Sequence, residues 1–197
     1  MGLTMTSAPV RKAIELEEMK LHLREDQSDL DAEIEWKLEA ATNTAESFTK
    51  RQFINATYEQ TFERFPRSGD DLVLYRSPLS SVTSIAYLDA DSVSQTVGVD
   101  VYGVDTSEEP GRVYLKQGQS WPATANERNA ITVTFVSGYG TDAASVPAAI
   151  RDSIARLGAH LHNQEGVVII GTIVADVPLA FRYLLQPYVV PWNHATE

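Results

Sequence analysis

Residues 147–164 have the sequence PAAIRDSIARLGAHLHNQ, and this stretch decides the fold class of the chain. Pro147 suits the first turn of a helix, because its missing N–H has no intrahelical partner there in any case. The large apolar residues that follow recur at spacings of four, three and four: Ile150, Ile154, Leu157 and Leu161. The stretch therefore predicts an amphipathic helix whose apolar face has to pack against another part of the chain.

A second helical stripe, in the first fifty residues, is the expected partner of this helix. Ser28 or Asp29 offers an N-cap, and apolar residues then recur every three or four positions at Leu30, Ile34, Leu38, Ala41, Ala45 and Phe48. A shorter helix is predicted before it, over residues 16–23. We expect the two long helices to form a small bundle, with Ile34, Leu38 and Phe48 against Ile150, Ile154 and Leu157.

The residues between the two stripes have the composition of β-strands. Short segments with strand character lie at 54–64, 72–75, 82–88, 95–97, 101–104, 112–115 and 131–136. Their connections, such as DADS and EEPGR, contain the Gly, Pro, Asp and Ser residues that turns require. The pattern predicts an antiparallel β-rich region inserted as a meander into a helical bundle, which is an α+β fold.

The chain is accordingly divided into an N-terminal helical part (1–50), a β-rich insertion (51–146), a bundle helix (147–165) and a C-terminal arm (166–197). The arm contains the apolar run VVIIGTIV at 167–174 and then a short helix that begins near Asp176 and Pro178 and ends before Pro187. This helix is apolar around nearly its whole circumference, at Val177, Leu179, Ala180, Phe181, Tyr183, Leu184, Leu185 and Tyr188.

Such a helix has to be buried against something, and no partner within the chain is evident from the pattern. We therefore predict that these eight residues dock in a groove of another protein. Truncation at Asp176 is then expected to remove docking while leaving the fold of residues 10–165 intact.

Composition limits the classes of function. The 197 residues include 16 basic and 27 acidic side chains, a formal net charge of −11, and no cysteine. Without cysteine there is no disulfide, thiolate metal site, iron–sulfur cluster or cysteine nucleophile, and an acidic surface disfavours tight binding of nucleic acid. The apolar run at 167–174 is far shorter than the ~20 residues that span a bilayer, so we expect a soluble protein made in the cytoplasm, with no membrane partner.

No motif points to catalysis or to a metal. His160 and His162 are two positions apart, so on a helix their side chains point in directions roughly 200° apart. Asp89 and Asp91 have the spacing of a metal-binding DxD motif, but a hairpin turn explains them better. The sequence therefore predicts no catalytic residue, no metal and no cofactor, and function is to be sought in assembly.

Several motifs occur in one order between residues 14 and 190: EEMKLHLRED, YRSPLSSVTSIAYLDAD, EEPGRVYL, QSWPAT, ITVTFVSGYG, VPAAIRDSIARLGAHLHNQEG and PLAFRYLLQPY. In this order they resemble the head-tail connector family of tailed phages, the head-completion adaptors. The extended β-rich insertion resembles the branch found in phages and in phage-like gene transfer particles.

The resemblance implies a structural virion protein at the head-tail interface, or neck, rather than an enzyme. It implies a homo-oligomer, a dodecameric ring stacked on the portal protein, with a stopper or tail-terminator protein on the other side. Genomic DNA would pass through the channel without tight binding, and C-terminal residues would dock on the portal.

Two other interpretations use the same residues differently. The exposed aromatics expected in the β-rich region are Tyr87, Tyr102, Tyr114, Trp121 and Tyr139, and they would serve as a platform in a carbohydrate- or peptide-binding module flanked by helices. An acid–base enzyme would instead use His160 or His162.

Overall fold

A computed structural model describes residues 2–67, 69–163 and 179–191. The fold class is α+β, as predicted, and the chain divides into two compact units. We call them the sheet unit (Met1–Val10 and Gln52–Thr141) and the helical unit (Arg11–Arg51 and Asp142–Glu197). No helix in the described ranges is both long enough and apolar enough to cross a membrane.

The helical unit contains four α-helices in its described part: α1 (Leu16–Leu23), α2 (Asp31–Thr49), α3 (Ala148–Asn163) and α4 (Leu179–Leu185). Short 3₁₀ turns lie at Ala143–Ser145, shortly before α3, and at Gln186–Tyr188, directly after α4. The periodicities at 16–23 and 147–164 therefore identified α1 and α3 to within a residue or so.

Packing between α2 and α3 confirms the predicted bundle. The central residues of both stripes are buried: Ile34, Leu38, Ala41 and Ala45 on α2, and Ile150, Ile154 and Leu157 on α3. Gly158 lets the helices approach closely, because a Cβ there would lie 3.0 Å from Met19 Cε of α1 and 4.0 Å from Ala41 Cβ of α2. Phe48 differs from the prediction in that its ring contacts Phe181 of α4, with 6.1 Å between ring centroids.

The predicted side-chain cap of α2 is wrong. The N-cap residue is Leu30, which makes no side-chain cap hydrogen bond, and Ser28 contributes its carbonyl oxygen, which accepts the N–H of Asp31 at 3.2 Å. The start of α2 is instead fixed by Lys20 of α1, whose Nζ donates to Asp31 Oδ1 at 2.7 Å. This hydrogen bond raises the pKa of Lys20.

The described residues of the sheet unit form eight strands: β1 (Gly2–Ser7), β2 (Ala56–Phe62), β3 (Leu72–Val73), β4 (Leu79–Leu88), β5 (Ser94–Thr96), β6 (Tyr102–Asp105), β7 (Arg112–Leu115) and β8 (Ile131–Ser137). All pairs are antiparallel. They form a five-stranded sheet in the order β1-β2-β8-β4-β5 and a three-stranded sheet in the order β3-β7-β6. The predicted meander is therefore wrong, because β8 inserts between β2 and β4.

Strand β1 was not predicted, since the sequence placed residues 1–50 in the helical part. It pairs with β2 along the edge of the larger sheet, with Leu3 opposite Gln60 and Met5 opposite Tyr58. Its residues Leu3, Thr4, Met5 and Thr6 alternate between apolar and polar types over a short stretch, but all six residues of the strand are exposed, so it has no buried face.

One apolar cluster draws buried residues from both sheets, including Phe135 of β8, Ile85 of β4 and Val113 of β7. The Tyr58 and Phe135 rings stack in it, with 5.9 Å between centroids. Gln60 is fully buried beside this cluster: its Nε2 donates to Val73 O at 2.8 Å, and its Oε1 accepts the Tyr75 N–H at 2.9 Å. The Gln60 side chain thus replaces a missing backbone partner next to the short strand β3.

The change Gln60→Leu is expected to destabilise the sheet unit by about 1–3 kcal/mol, because it removes the buried amide that pairs with the half-buried Val73 carbonyl and Tyr75 N–H. The measurement is the free energy of unfolding from urea denaturation. Glu59→Leu is the matched control, since Glu59 is the exposed neighbour in the same strand and a surface change there should stay within about 0.5 kcal/mol. Equal destabilisation by both variants would contradict the assigned role of Gln60.

Candidate docking surface on the C-terminal helix

The predicted docking helix exists as α4, but the structure divides its residues into a buried and an exposed set. Phe181 and Leu185 are 2% and 0% exposed, because α4 packs against α3 and α2 of the same unit. The expectation that this helix lacks a partner within the chain is therefore wrong for these two residues. Val177 lies outside the described residues, as does the apolar run at 167–174.

The exposed set contains two large side chains one helical turn apart. Leu179 is 86% exposed and Tyr183 is 82% exposed, and their spacing of four residues places them side by side on the surface of α4. Ala180 is also exposed, and Leu184 and Tyr188 are half-buried at the border of the set. We call the exposed residues Leu179, Ala180 and Tyr183, with Leu184 and Tyr188 at their border, the α4 patch. Of the residues predicted to dock, these remain available to a partner.

Two hydrogen bonds fix the segment that follows α4 to the end of α2. The Nε of Arg51 donates to the Tyr188 carbonyl at 2.6 Å, and the Val190 N–H donates to the Thr49 carbonyl at 3.0 Å. Arg51 and Val190 are both buried. Two sets of contacts therefore hold α4 on the bundle. Phe181 and Leu185 pack beneath the helix, and the segment after the helix is hydrogen-bonded to the end of α2.

The same contacts change what truncation would do. Removing the chain from Asp176 onward would delete Phe181 and Leu185 from the core, and burial of such a side chain contributes ~1.5–3 kcal/mol. The sequence-based expectation that residues 10–165 keep their fold after this truncation is therefore corrected: the truncation should destabilise the helical unit. Substitutions confined to the α4 patch test docking without this loss.

His162 and Asp89, both considered above for chemistry, lie next to other side chains or backbone groups of their own units. His162 Nδ1 of α3 lies 3.3 Å from Glu33 Oε1 of α2, without the geometry of a hydrogen bond. Asp89 closes the turn between β4 and β5, because its Oδ1 accepts the N–H groups of Asp91 and Val93, each at 3.0 Å. The backbone hydrogen bond from Val93 and a side-chain bond from Gln95 lower the pKa of Asp89. The hairpin interpretation is confirmed, and the described residues contain no cluster of three side chains placed to hold a metal.

Of the five aromatic residues proposed for a binding platform, one is buried, three are half-buried and one is exposed. Tyr102 is 6% exposed, and burial raises the pKa of its hydroxyl. The Trp121 ring stacks on Phe65 with 4.6 Å between centroids, and the Tyr87 ring meets the same Phe65 at 6.0 Å. Tyr139 is half-buried, which leaves Tyr114 as the one largely exposed member of the set. The predicted platform is therefore not formed.

Comparisons with known proteins find similarity in fold and no match in sequence. No protein-family model matches the chain, and no curated protein matches it. Among solved structures, the chain superposes on a chain from the neck of an empty gene transfer agent particle computed with C6 symmetry, with a TM-score of 0.80 and 19% identity. It is also similar to a chain from the virion of the native gene transfer agent particle, with a TM-score of 0.78 and 20% identity.

A third similar chain comes from the neck of the native particle computed with C12 symmetry, with a TM-score of 0.77 and 17% identity. Each superposition covers 100% of this chain and 99% of the other. The likeness therefore extends over the whole length of both chains, and at these identities it establishes a shared fold.

Proposed function

We propose that this chain is a structural neck protein of a tailed phage or phage-like particle, an adaptor between the portal and a stopper or tail-terminator protein. The observation that carries the proposal is the whole-chain likeness to chains of gene transfer agent necks and virions. The order of motifs along the sequence supports the same role independently. The proposed role assigns no reaction, metal or cofactor to the chain, and its place is the virion neck, after synthesis in the host cytoplasm.

The proposed assembly is a ring of twelve copies around the DNA channel. Six-fold and twelve-fold symmetry in the neck structures that contain similar chains supports a ring. With a formal charge of −11 per chain, twelve copies would carry −132 (12 × −11). Fixed negative charge disfavours states in which phosphates are held, so such a channel lets DNA slide.

The α4 patch is the proposed contact with the portal. Leu179 and Tyr183 are exposed apolar side chains at helical spacing, which is the pattern of a helix that lays one face into a groove. Phe181 and Leu185 support the patch from within the bundle. In this proposal one face of α4 docks on the portal, and the opposite face is buried within its own chain.

Ion pairs within the chain add to the case against tight DNA binding. In the part of the chain that the structure describes, the cations within 4 Å of carboxylates include Arg11, Lys12, Lys20, Arg112, Arg151 and Arg156. Nonspecific binding to DNA depends on several cations meeting several phosphates together, with release of counterions. Cations that already face carboxylates contribute little to such binding.

The isolated chain is therefore expected to bind duplex DNA more weakly than ordinary nonspecific binders, whose Kd values are ~10⁻⁴–10⁻⁶ M at physiological salt. The measurement is a fluorescence anisotropy titration with labelled duplex at several salt concentrations. Micromolar affinity that falls steeply with added salt would contradict the expectation and would favour a DNA-engaging protein.

A further inference from the structure

The five-stranded sheet ends in two strands that share one property. Of the eight strands in the described residues, β1 and β5 alone have every residue exposed, and they are the two opposite edges of the same sheet. Within the described residues no strand pairs with the outer side of either one. Each edge therefore presents backbone N–H and C=O groups that a further strand can pair with.

Two of the devices that normally block such pairing, charged side chains and proline, are missing from both edges, although β5 is short and β1 has an irregular register between Met5 and Ser7. Proteins protect free edges with charged side chains or proline, yet GLTMTS and SQT contain neither, in a chain that is 22% charged. Exposed apolar side chains accompany both edges instead. Leu3 and Met5 of β1 are 38% and 42% exposed, and Val93 and Val99, which flank β5, are 53% and 75% exposed. Both edges are thus uncharged and exposed, with apolar side chains within β1 and beside β5.

We propose that β1 of one copy pairs with β5 of the next copy, so that the sheet continues across each subunit boundary of the ring. This inference rests on the proposed function, which supplies the ring. The contact joins two different surfaces, and such a head-to-tail contact repeats from copy to copy and closes into a ring when the rotation fits. A contact between two β1 strands would instead close into a dimer and stop.

The number of strands fixes the direction of the pairing. Four successive antiparallel pairs connect β1 to β5, so the two edges of the sheet run in the same direction. Neighbouring copies in a twelve-membered ring differ by a rotation of about 30°, which nearly preserves strand direction. The β1–β5 pair between copies is therefore parallel, whereas a β1–β1 dimer about a two-fold axis would be antiparallel.

The small size of the contact determines when it forms. Strand β5 has three residues, which span about 10 Å, so the pairing buries far less than the ~800 Å² per partner of a stable interface. The isolated chain is accordingly monomeric at micromolar concentration. Copies held side by side on a portal ring have effective concentrations in the range of about 1 mM, where a weak strand pair forms.

Engineered cysteines test the proposal cleanly because the chain has none of its own. Thr4→Cys in β1 is combined in turn with Ser94→Cys, Gln95→Cys and Thr96→Cys in β5, so that both faces of the sheet are sampled. Each variant is bound to portal rings, oxidised mildly and separated on a denaturing gel. The controls are Thr4→Cys alone and Thr4→Cys with Thr106→Cys, an exposed position outside both edges.

At least one β1–β5 combination is expected to give a ladder of covalent multimers larger than dimers on the portal, and monomers without it. Neither control should give the ladder. Normal recruitment to the portal without any ladder, or dimers from Thr4→Cys alone, would overturn the β1–β5 contact and leave the proposed function standing. Failure of the cysteine-free chain to bind portal would overturn the proposed function and, with it, the contact.

Discussion

Replacement of Leu179 and Tyr183 together by serine is expected to weaken binding to the portal at least about 100-fold without changing the melting temperature. Both side chains are more than four-fifths exposed in the isolated chain, so their loss costs the fold little. In the docked state each would be buried, which is worth ~1.5–3 kcal/mol per side chain, and 1.4 kcal/mol corresponds to about tenfold in affinity.

The measurement is the Kd for isolated portal rings, with differential scanning calorimetry on the same samples. Leu21→Ser is the matched control, because Leu21 of α1 is an equally exposed leucine, at 81%, outside the α4 patch. An unchanged Kd for the Leu179→Ser, Tyr183→Ser variant would exclude the α4 patch as the docking surface.

The second large expected effect is a loss of stability of the helical bundle. Leu38→Asp places a carboxylate at a position that is 1% exposed, between α2 and α3, with no cation provided for it. Loss of the buried leucine side chain alone typically costs about 2–5 kcal/mol, and an unpaired buried charge adds to this. Since a domain of this kind has about 5–15 kcal/mol of stability, the helical unit is expected to be largely or wholly unfolded.

Helical circular dichroism during thermal and urea unfolding measures the effect of Leu38→Asp. Asn43→Asp adds the same charge to an exposed position of the same helix and should change stability by no more than about 0.5 kcal/mol. Equal transition midpoints for the two variants would contradict the packing of α2 on α3.

The helices were predictable because burial leaves a period in the sequence. The stripe from Ile34 to Ala45 and the stripe from Ile150 to Leu157 are buried along their whole lengths, and each identified its helix and its partner. The cap of α2 was not predictable from Ser28 or Asp29, because Lys20, which is close to Asp31 only in the folded unit, stabilises the start of that helix. Local rules describe a helix end well only when its partners are also local.

For the sheet, the sequence predicted individual strands but not how they pair. Alternation along the sequence identified strands β2 and β8, and the structure shows the matching alternation of buried and more exposed residues. Their pairing places Ala56 opposite Ser137, and neither segment contains a pattern that identifies a partner strand so far away in the sequence. Strand β1 has only the short alternation Leu3, Thr4, Met5, Thr6, and every residue of it is exposed. An edge strand that is short and has no buried face is hard to recognise in a sequence, and the same exposure makes it available to a neighbour.

The candidate site was half predictable. Apolar residues around the whole of α4 indicated that the helix is buried, and the structure buries one side of it, but the sequence could not tell which residues contact the chain itself. The structure assigns Phe181 and Leu185 to the bundle and leaves Leu179 and Tyr183 exposed. Residues 137 positions apart, Arg51 and Tyr188, complete the attachment, and no sequence spacing relates them.

The central claim, that this chain is a neck adaptor recruited by the portal, is tested most directly by the mass of the complex it forms with portal rings of the same particle. Native mass measurement of portal alone and of portal with excess chain gives the number of copies bound. The account predicts an increase of about 260 kDa, corresponding to twelve copies of a 21.7-kDa chain, while the chain by itself remains monomeric. A portal ring whose mass does not change in the presence of excess chain would contradict the claim.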